Sequence, residues 1–269
     1  MKGFFFPLLF VALLTRAQSP YESFYAFDKN WQSIQNLDKS TYFMQKVREN
    51  DTTYICRIYR TKGSMVSWET FKDSALSIKN GFFAWYNQYG ELDSSGNYTN
   101  NVKDKKWKIA FDKKLNPLLA LEYKAGEIIR QINYKTKTYK WNSGKEEPIE
   151  LNDPNHPDYT IKVNDNQAPA TFINGGIEGW MNFINNNIIT PNRFISISGP
   201  NSVGRVKAGF LIQEDGQLTD IQILQSREWS ADMEVIRMLK SSPSWKPAFQ
   251  NGKNLPYNFA QTFTFNVGN

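Results

Sequence analysis

One cysteine and one histidine are all that 269 residues offer in the way of thiol and imidazole. A metal centre built from Cys and His needs three or four such ligands, and a disulfide framework needs cysteines in pairs, so neither is expected. A Cys–His couple would have to join Cys56, inside a β-rich run, to His156, in a proline-marked stretch far along the chain. Cys56 therefore reads as a small core residue. Phosphate-cradling glycine loops and a nucleophile elbow are also missing. The acids Glu146, Glu147, Asp153 and Asp158 fall in the same proline-marked stretch, where carboxylates are solvated. No catalytic residue, metal or cofactor is expected, and the chain is not read as an enzyme.

Strong charge of one sign is lacking too. The formal net charge is +6. The lysines at 103, 105, 106 and 108, and at 135, 137 and 140, read as solvated strand faces, with an anionic surface as their alternative use. Nucleic acid is not an expected partner. Nor is there a long hydrophobic run. Residues 3–14 form a short apolar core behind Lys2, closed by Thr15-Arg16-Ala17. A spanning helix needs about 20 apolar residues. The segment instead reads as a secretory signal, residues 1–17, with a mature start at Gln18. The alternative is a membrane anchor made by the same segment.

The last hundred residues carry the clearest structural writing. Apolar Ile177, Trp180, Met181, Ile184 and Ile188 recur at helical spacing after Gly175-Gly176, and Pro191 closes the helix. A period-two run follows, with Val206, Ala208, Phe210 and Ile212 on one face. Asp215-Gly216 supplies a tight hairpin, both of whose central residues are expected at positive φ. Leu218, Ile221 and Ile223 on the return strand have an odd spacing that implies a bulge. Ser230 is the expected cap of a second helix with Val235, Ile236 and Leu239 inward, stopped by Pro243. The final strand alternates Tyr257, Phe259, Gln261, Phe263, Phe265 and Val267 against Asn258, Thr262, Thr264 and Asn266. The fold class is α+β: a small antiparallel sheet covered by two helices, over residues 169–269.

Residues 18–141 read as a mostly-β meander domain. Runs at 41–47 and 53–59 flank a hairpin signal at Asn50-Asp51, and aromatic strands follow at 81–86, 90–92, 96–98 and 106–109. Residues 142–168, with Pro148, Pro154 and Pro157, read as a linker.

Two resemblances follow from these residues. The run Pro169-Ala-Thr-Phe-Ile-Asn-Gly-Gly, the Asp215-Gly216 hairpin, Ser242-Pro243-Ser-Trp245-Lys-Pro247-Ala, Asn251-Gly252-Lys253 and the last aromatic strand resemble the TonB C-terminal domain. The resemblance implies a sheet edge that captures a short peptide of an outer-membrane receptor by strand addition. Carried onto this chain, the partner-binding segment is Tyr257, Asn258, Phe259, Ala260, Gln261, Thr262, Phe263, Thr264 and Phe265. It also implies a periplasmic location after cleavage, with only indirect membrane association, or an inner-membrane protein if the N-terminal segment is retained. The meander resembles MORN-like repeats of antitoxin-type proteins, although Asn101 and Lys105 stand where such repeats carry glycine. Lysine takes positive φ poorly, so the turn there is expected to differ. Two uses of the last strand remain open: capture of a protein or peptide partner, or pairing with its own copy in a homodimer.

Overall fold

The computed structural model describes residues 21–151, 153, 155, 156 and 167–268. The signal segment expected at 1–17 lies outside the described residues. The chain divides into two compact units: one through Asn133 together with Lys140–Glu146, the other of Tyr134–Tyr139 with Glu147–Asn269.

The first unit is built on antiparallel hairpins. Its strands are β1 (Glu22–Phe27), β2 (Ser33–Ile34), β3 (Tyr42–Asn50), β4 (Thr53–Arg60), β5 (Met65–Phe71) and β6 (Lys79–Tyr86). They continue as β7 (Leu92–Thr99), β8 (Val102–Phe111), β9 (Pro117–Lys124) and β10 (Glu127–Asn133), and the sheet ends in β11 (Thr138–Trp141) and β12 (Glu146–Pro148), each of which straddles the division. From β3 to β12 consecutive strands pair, and the order ends with β1 beside β3 and β2 beside β1. The expected hairpin at 50–51 joins β3 to β4, while the separate runs at 90–92 and 96–98 merge into β7.

Three of the turns follow one chemical rule that glycine counting does not find. At Asp28, Asn87 and Asp112 a side-chain oxygen accepts the backbone N–H groups two and four residues on, at 2.8–3.1 Å. The fourth residue of each loop takes positive φ: Trp31 at 64°, Gly90 at 79° and Leu115 at 64°. Only one of the three is glycine. The Asx side chain fastens the turn and so tolerates a bulky residue in the left-handed region. Lys105 does take positive φ, 58°, but at an irregularity within β8, not in a turn. The turn itself uses Asn100 and Asn101, both at positive φ, between Thr99 and Val102.

One face of this sheet carries a cluster of Phe27, Met44, Cys56, Phe71, Phe83 and Trp107. Trp107 lies flat over Gly96, where an added Cβ would stand 2.2 Å from the indole. Its Nε1–H donates to the Asn97 carbonyl at 3.0 Å. Lysine cations cover the rings, Lys79 at 5.0 Å from the Tyr98 centroid and Lys103 at 4.3 Å from that of Trp107. On the other face Arg57 is buried 4.1 Å above Trp68, and its Nη1 donates to Gln45 Oε1 at 3.2 Å. Gln45 in turn donates to Glu22, so an uncharged amide links a buried cation to an acid.

The second unit holds three helices among the described residues: α1 (Gly176–Asn187), α2 (Asn192–Ser198) and α3 (Trp229–Lys240). Its strands are β13 (Gln167–Ala168), β14 (Thr171–Phe172), β15 (Val203–Ile212), β16 (Leu218–Gln225), β17 (Trp245–Lys246), β18 (Ala248–Gln250), β19 (Lys253–Leu255) and β20 (Tyr257–Asn266). They form the ladders β16-β15-β20, β13-β18-β19 and β14-β17.

Several local expectations change here. Trp180 and Ile184 of α1 are buried, but Ile177 and Met181 face solvent, so the helix buries a narrower stripe than its spacing implies. The expected stop at Pro191 shifts: α1 already ends at Asn187, with Ile188 as its C-cap, and Pro191 instead stands at the N-cap of α2, a short helix whose Phe194 is buried. The cap of α3 is Glu228, whose Oε1 accepts from Ala231 N at 2.7 Å, and Ser230 donates to that same carboxylate. Asp232 is fully buried and accepts from Ser226 Oγ and Arg227 N. In the Asp215-Gly216 turn only Gly216 has positive φ, 83°. Gly216 N donates to Gln213 O, and Gln213 N to Gln217 O, which makes a three-residue loop. The bulge on the return strand is present, with Asp220 at φ 50°.

Candidate functional site

The site expected from sequence is the last strand, and its geometry starts with Trp245. This indole is 3 % exposed and touches Phe172, Trp180, Phe210 and Phe259, with centroids 5.0–6.0 Å away. Trp245 N donates to Gly216 O at 2.8 Å, and a Cβ at Gly216 would stand 1.9 Å from Trp245 O. The glycine of the hairpin is thus fixed by contact as well as by φ. Phe259 stacks on Phe210 at 5.4 Å, and Phe194 lies 5.8 Å from Phe265. These rings hold the inner face of β20 along its length.

The nine predicted positions fall on one continuous strand, and the structure divides them cleanly. Phe263 and Phe265 are buried; Tyr257, Phe259 and Gln261 are half-buried; Asn258, Ala260, Thr262 and Thr264 are exposed. Asn266, omitted from the predicted segment, continues the exposed row. β20 pairs with β15 from Val203↔Asn266 to Ile212↔Tyr257 without a register shift. Val267 N donates to Ser202 O at 2.9 Å, immediately beyond the strand. In an antiparallel ladder bonded pairs alternate. The odd-numbered residues of β20 therefore bond to β15. Asn258, Ala260, Thr262, Thr264 and Asn266 turn their N–H and C=O groups outward.

β20 is the terminal strand of its ladder, so no described strand occupies that outward side. The opposite edge, β16, differs. It carries two register shifts against β15 and a charged residue, Asp220, at positive φ. Bulges and charges blunt an edge. β20 has neither: across ten residues it contains no charged side chain, no proline and no irregularity.

The chemistry of the remaining candidates is subdued. Cys56 is buried, and burial pushes its thiol up to about 12, with Glu69 adding to the shift. A thiol so placed is a poor nucleophile at neutral pH. Asp153 accepts from Tyr139 Oη at 2.5 Å and from Asn155, which ties it into a turn. Among the described residues no group of three or more His, Cys, Asp or Glu is placed to hold a metal ion. No helix among them is long and apolar enough to cross a membrane.

The family described as Gram-negative bacterial TonB protein C-terminal matches residues 201–267. The matched region runs from just before β15 to just past β20, which is the whole three-stranded ladder and α3. It is about a quarter of the chain. That region is similar to a family of protein-interaction domains found in envelope proteins. No family match supports the MORN-like reading of the N-terminal sheet. No curated protein matches the chain.

Proposed function

We propose that this chain is an exported, periplasmic TonB-like protein that binds an extended segment of a protein partner by strand addition to β20. The partner on this reading is an outer-membrane receptor, and the setting is TonB-dependent transport. One observation carries it: five alternate residues of β20 aim their backbone groups away from the sheet along an edge with no device that prevents pairing. In this binding mode main-chain bonds supply affinity and alternate side chains supply selectivity. On this reading the meander serves as a separate module, and the segment expected as a linker at 142–168 connects it only beyond β12, since Glu146–Pro148 belongs to the sheet. The second use, an edge-to-edge homodimer, draws on the same absence of charge on β20.

Proline substitution tests the proposal, because proline removes a donor and is tolerated on an edge only where its nitrogen faces solvent. Thr262→Pro and Thr264→Pro should keep the fold and abolish capture of a partner from cross-linked envelope extract. Thr262→Ala and Thr264→Ala should weaken capture only slightly. Loss of capture by a protein that stays monomeric favours the receptor reading, and loss of a dimer with no captured partner favours self-pairing. Folded Thr262→Pro and Thr264→Pro proteins that still bind and associate like the wild type would sink both.

A further inference from the structure

The outward side of β20 is not uniformly open. Gln261 Nε2 donates to the Thr262 carbonyl at 2.9 Å. Thr262 is one of the five outward-facing residues, at the middle of the exposed row. Its carbonyl is an acceptor that an added strand would use. Among the described residues no hydrogen bond of this kind engages the outward groups of Asn258, Ala260, Thr264 or Asn266. The carbonyl of Thr262 is thus singled out, and the group that occupies it comes from the strand itself.

We propose that the Gln261 amide is a built-in plug on the capturing edge, and that it acts more strongly against a second copy of the chain than against a foreign peptide. This rests on the strand-addition reading of β20 given above. An antiparallel homodimer centred on the outward-facing Thr262 pair brings two such carbonyls together, each with its own amide attached. Both amides must turn away before the central pair forms. A peptide that lacks this glutamine displaces one. The net worth of such a hydrogen bond is small, equivalent to about a three- to tenfold change in an equilibrium constant. Squared, that is about ten- to hundredfold against self-pairing. β16 protects its edge permanently with bulges and Asp220; β20 does so with a side chain that can rotate. A permanent block would forbid every partner, whereas a rotating amide leaves the edge usable.

The test uses the full chain and Gln261→Met, which keeps side-chain volume and removes the donor, with Gln261→Ala as a second variant should methionine perturb packing. The probe is a fluorescein-labelled peptide of the residue 257–266 sequence, itself carrying Gln261→Thr and flanked by lysines for solubility. Fluorescence anisotropy reads peptide capture, and sedimentation equilibrium reads the dimer constant. The expected result is peptide binding tightened about three- to tenfold and a dimer constant tightened by the square of that factor. Capture of the peptide with equal affinity by wild type and variants overturns the plug and leaves strand addition standing. Peptide and dimer constants that tighten by the same factor overturn the selectivity against self-pairing. If no protein captures the peptide, the strand-addition reading falls and the plug falls with it.

Discussion

The two units of this chain treat the ends of their sheets in opposite ways. The long meander closes both of its edges: β2 is only two residues long, and β12 is Glu146-Glu147-Pro148, two acids and a proline. Each is a known means of stopping edge-to-edge association. The C-terminal ladder blunts β16 and leaves β20 regular and uncharged for ten residues. Of the four edges of these two sheets three are shut, so the means to shut the fourth are present in the chain. The difference extends to the cores. The meander packs rings and lysine stems along the face of its sheet, whereas the C-terminal unit gathers its rings around Trp245 beside the hairpin glycine.

The largest effect that separates the two units is expected at that hub. Trp245→Ala removes a buried ring in contact with four aromatic neighbours. Such a change costs about 3–5 kcal/mol, a large share of a small domain's stability. Chemical denaturation of the full chain should show an early transition for the C-terminal unit and an unchanged one for the meander. A single transition shifted as a whole would mean that the units do not unfold separately. The counterpart in the meander is Gly96→Ala. The new methyl would stand 2.2 Å from the Trp107 indole, and overpacking of this kind costs about 1–3 kcal/mol. Its effect should fall on the other transition, with Trp107 fluorescence altered and partner capture by β20 intact.

Much of the C-terminal unit is legible in sequence because its signals are periodic. The alternation from Tyr257 to Val267 returns as alternating burial, Gly175 marks the start of α1 and Gly216 the hairpin, whereas Pro191 marks the start of α2 and not the end of α1. Less legible are features set by tertiary contact. Ile177 and Met181 have helical spacing but stay exposed among the described residues, and α2 is too short to show a period. Glu228 outranks Ser230 as a cap because its longer carboxylate reaches Ala231 N, with Arg193 Nε 3.3 Å from its other oxygen. In the meander the strands are readable and the turns are not, since Trp31 and Leu115 occupy positions usually marked by glycine. The candidate edge was readable as a segment. Which of its residues face outward, and that Gln261 covers Thr262, follow only from the register of β20 and the folded position of the Gln261 amide.

Buried charge sharpens the comparison next. Glu69 lies on the clustered face of the meander, and burial raises its carboxyl above the ordinary 4.5 despite a hydrogen bond from Ser67 and the charge of Lys79. A raised folded-state value means stability that is full below the unfolded value and lost as pH rises through the folded one. Ionised Glu69 therefore costs the meander stability at neutral pH. Glu69→Gln should raise the meander's melting temperature at pH 7.5, with the gain shrinking toward pH 4, while the C-terminal transition stays fixed at both. A gain that persists unchanged at pH 4 would show that charge is not its source.

The smallest effect concerns the loops of the meander, and it has the opposite sign. Asp112 accepts Asn116 N and Lys114 N at 2.9 and 2.8 Å, and these bonds, with the Asn116 side chain, hold its carboxyl below the ordinary 3.8 even though burial opposes them. A depressed value contributes stability that is present above the unfolded pKa and disappears as pH falls through the folded one. The group is almost wholly solvated, so screening keeps the contribution small. Asn87 fastens the neighbouring loop in the same way with a neutral amide, accepting Tyr89 N and Glu91 N at 2.9 and 3.1 Å. Asp112→Asn should accordingly preserve the loop and change stability little at pH 7. What it should remove is part of the loss between pH 4 and pH 2, measured as the difference between wild-type and variant melting curves across that range. The two carboxylates of the meander, Glu69 and Asp112, would then bend the same stability curve from opposite sides. Identical acid limbs for wild type and Asp112→Asn would mean that the Asx hydrogen bonds hold the turn by geometry alone, without help from the charge.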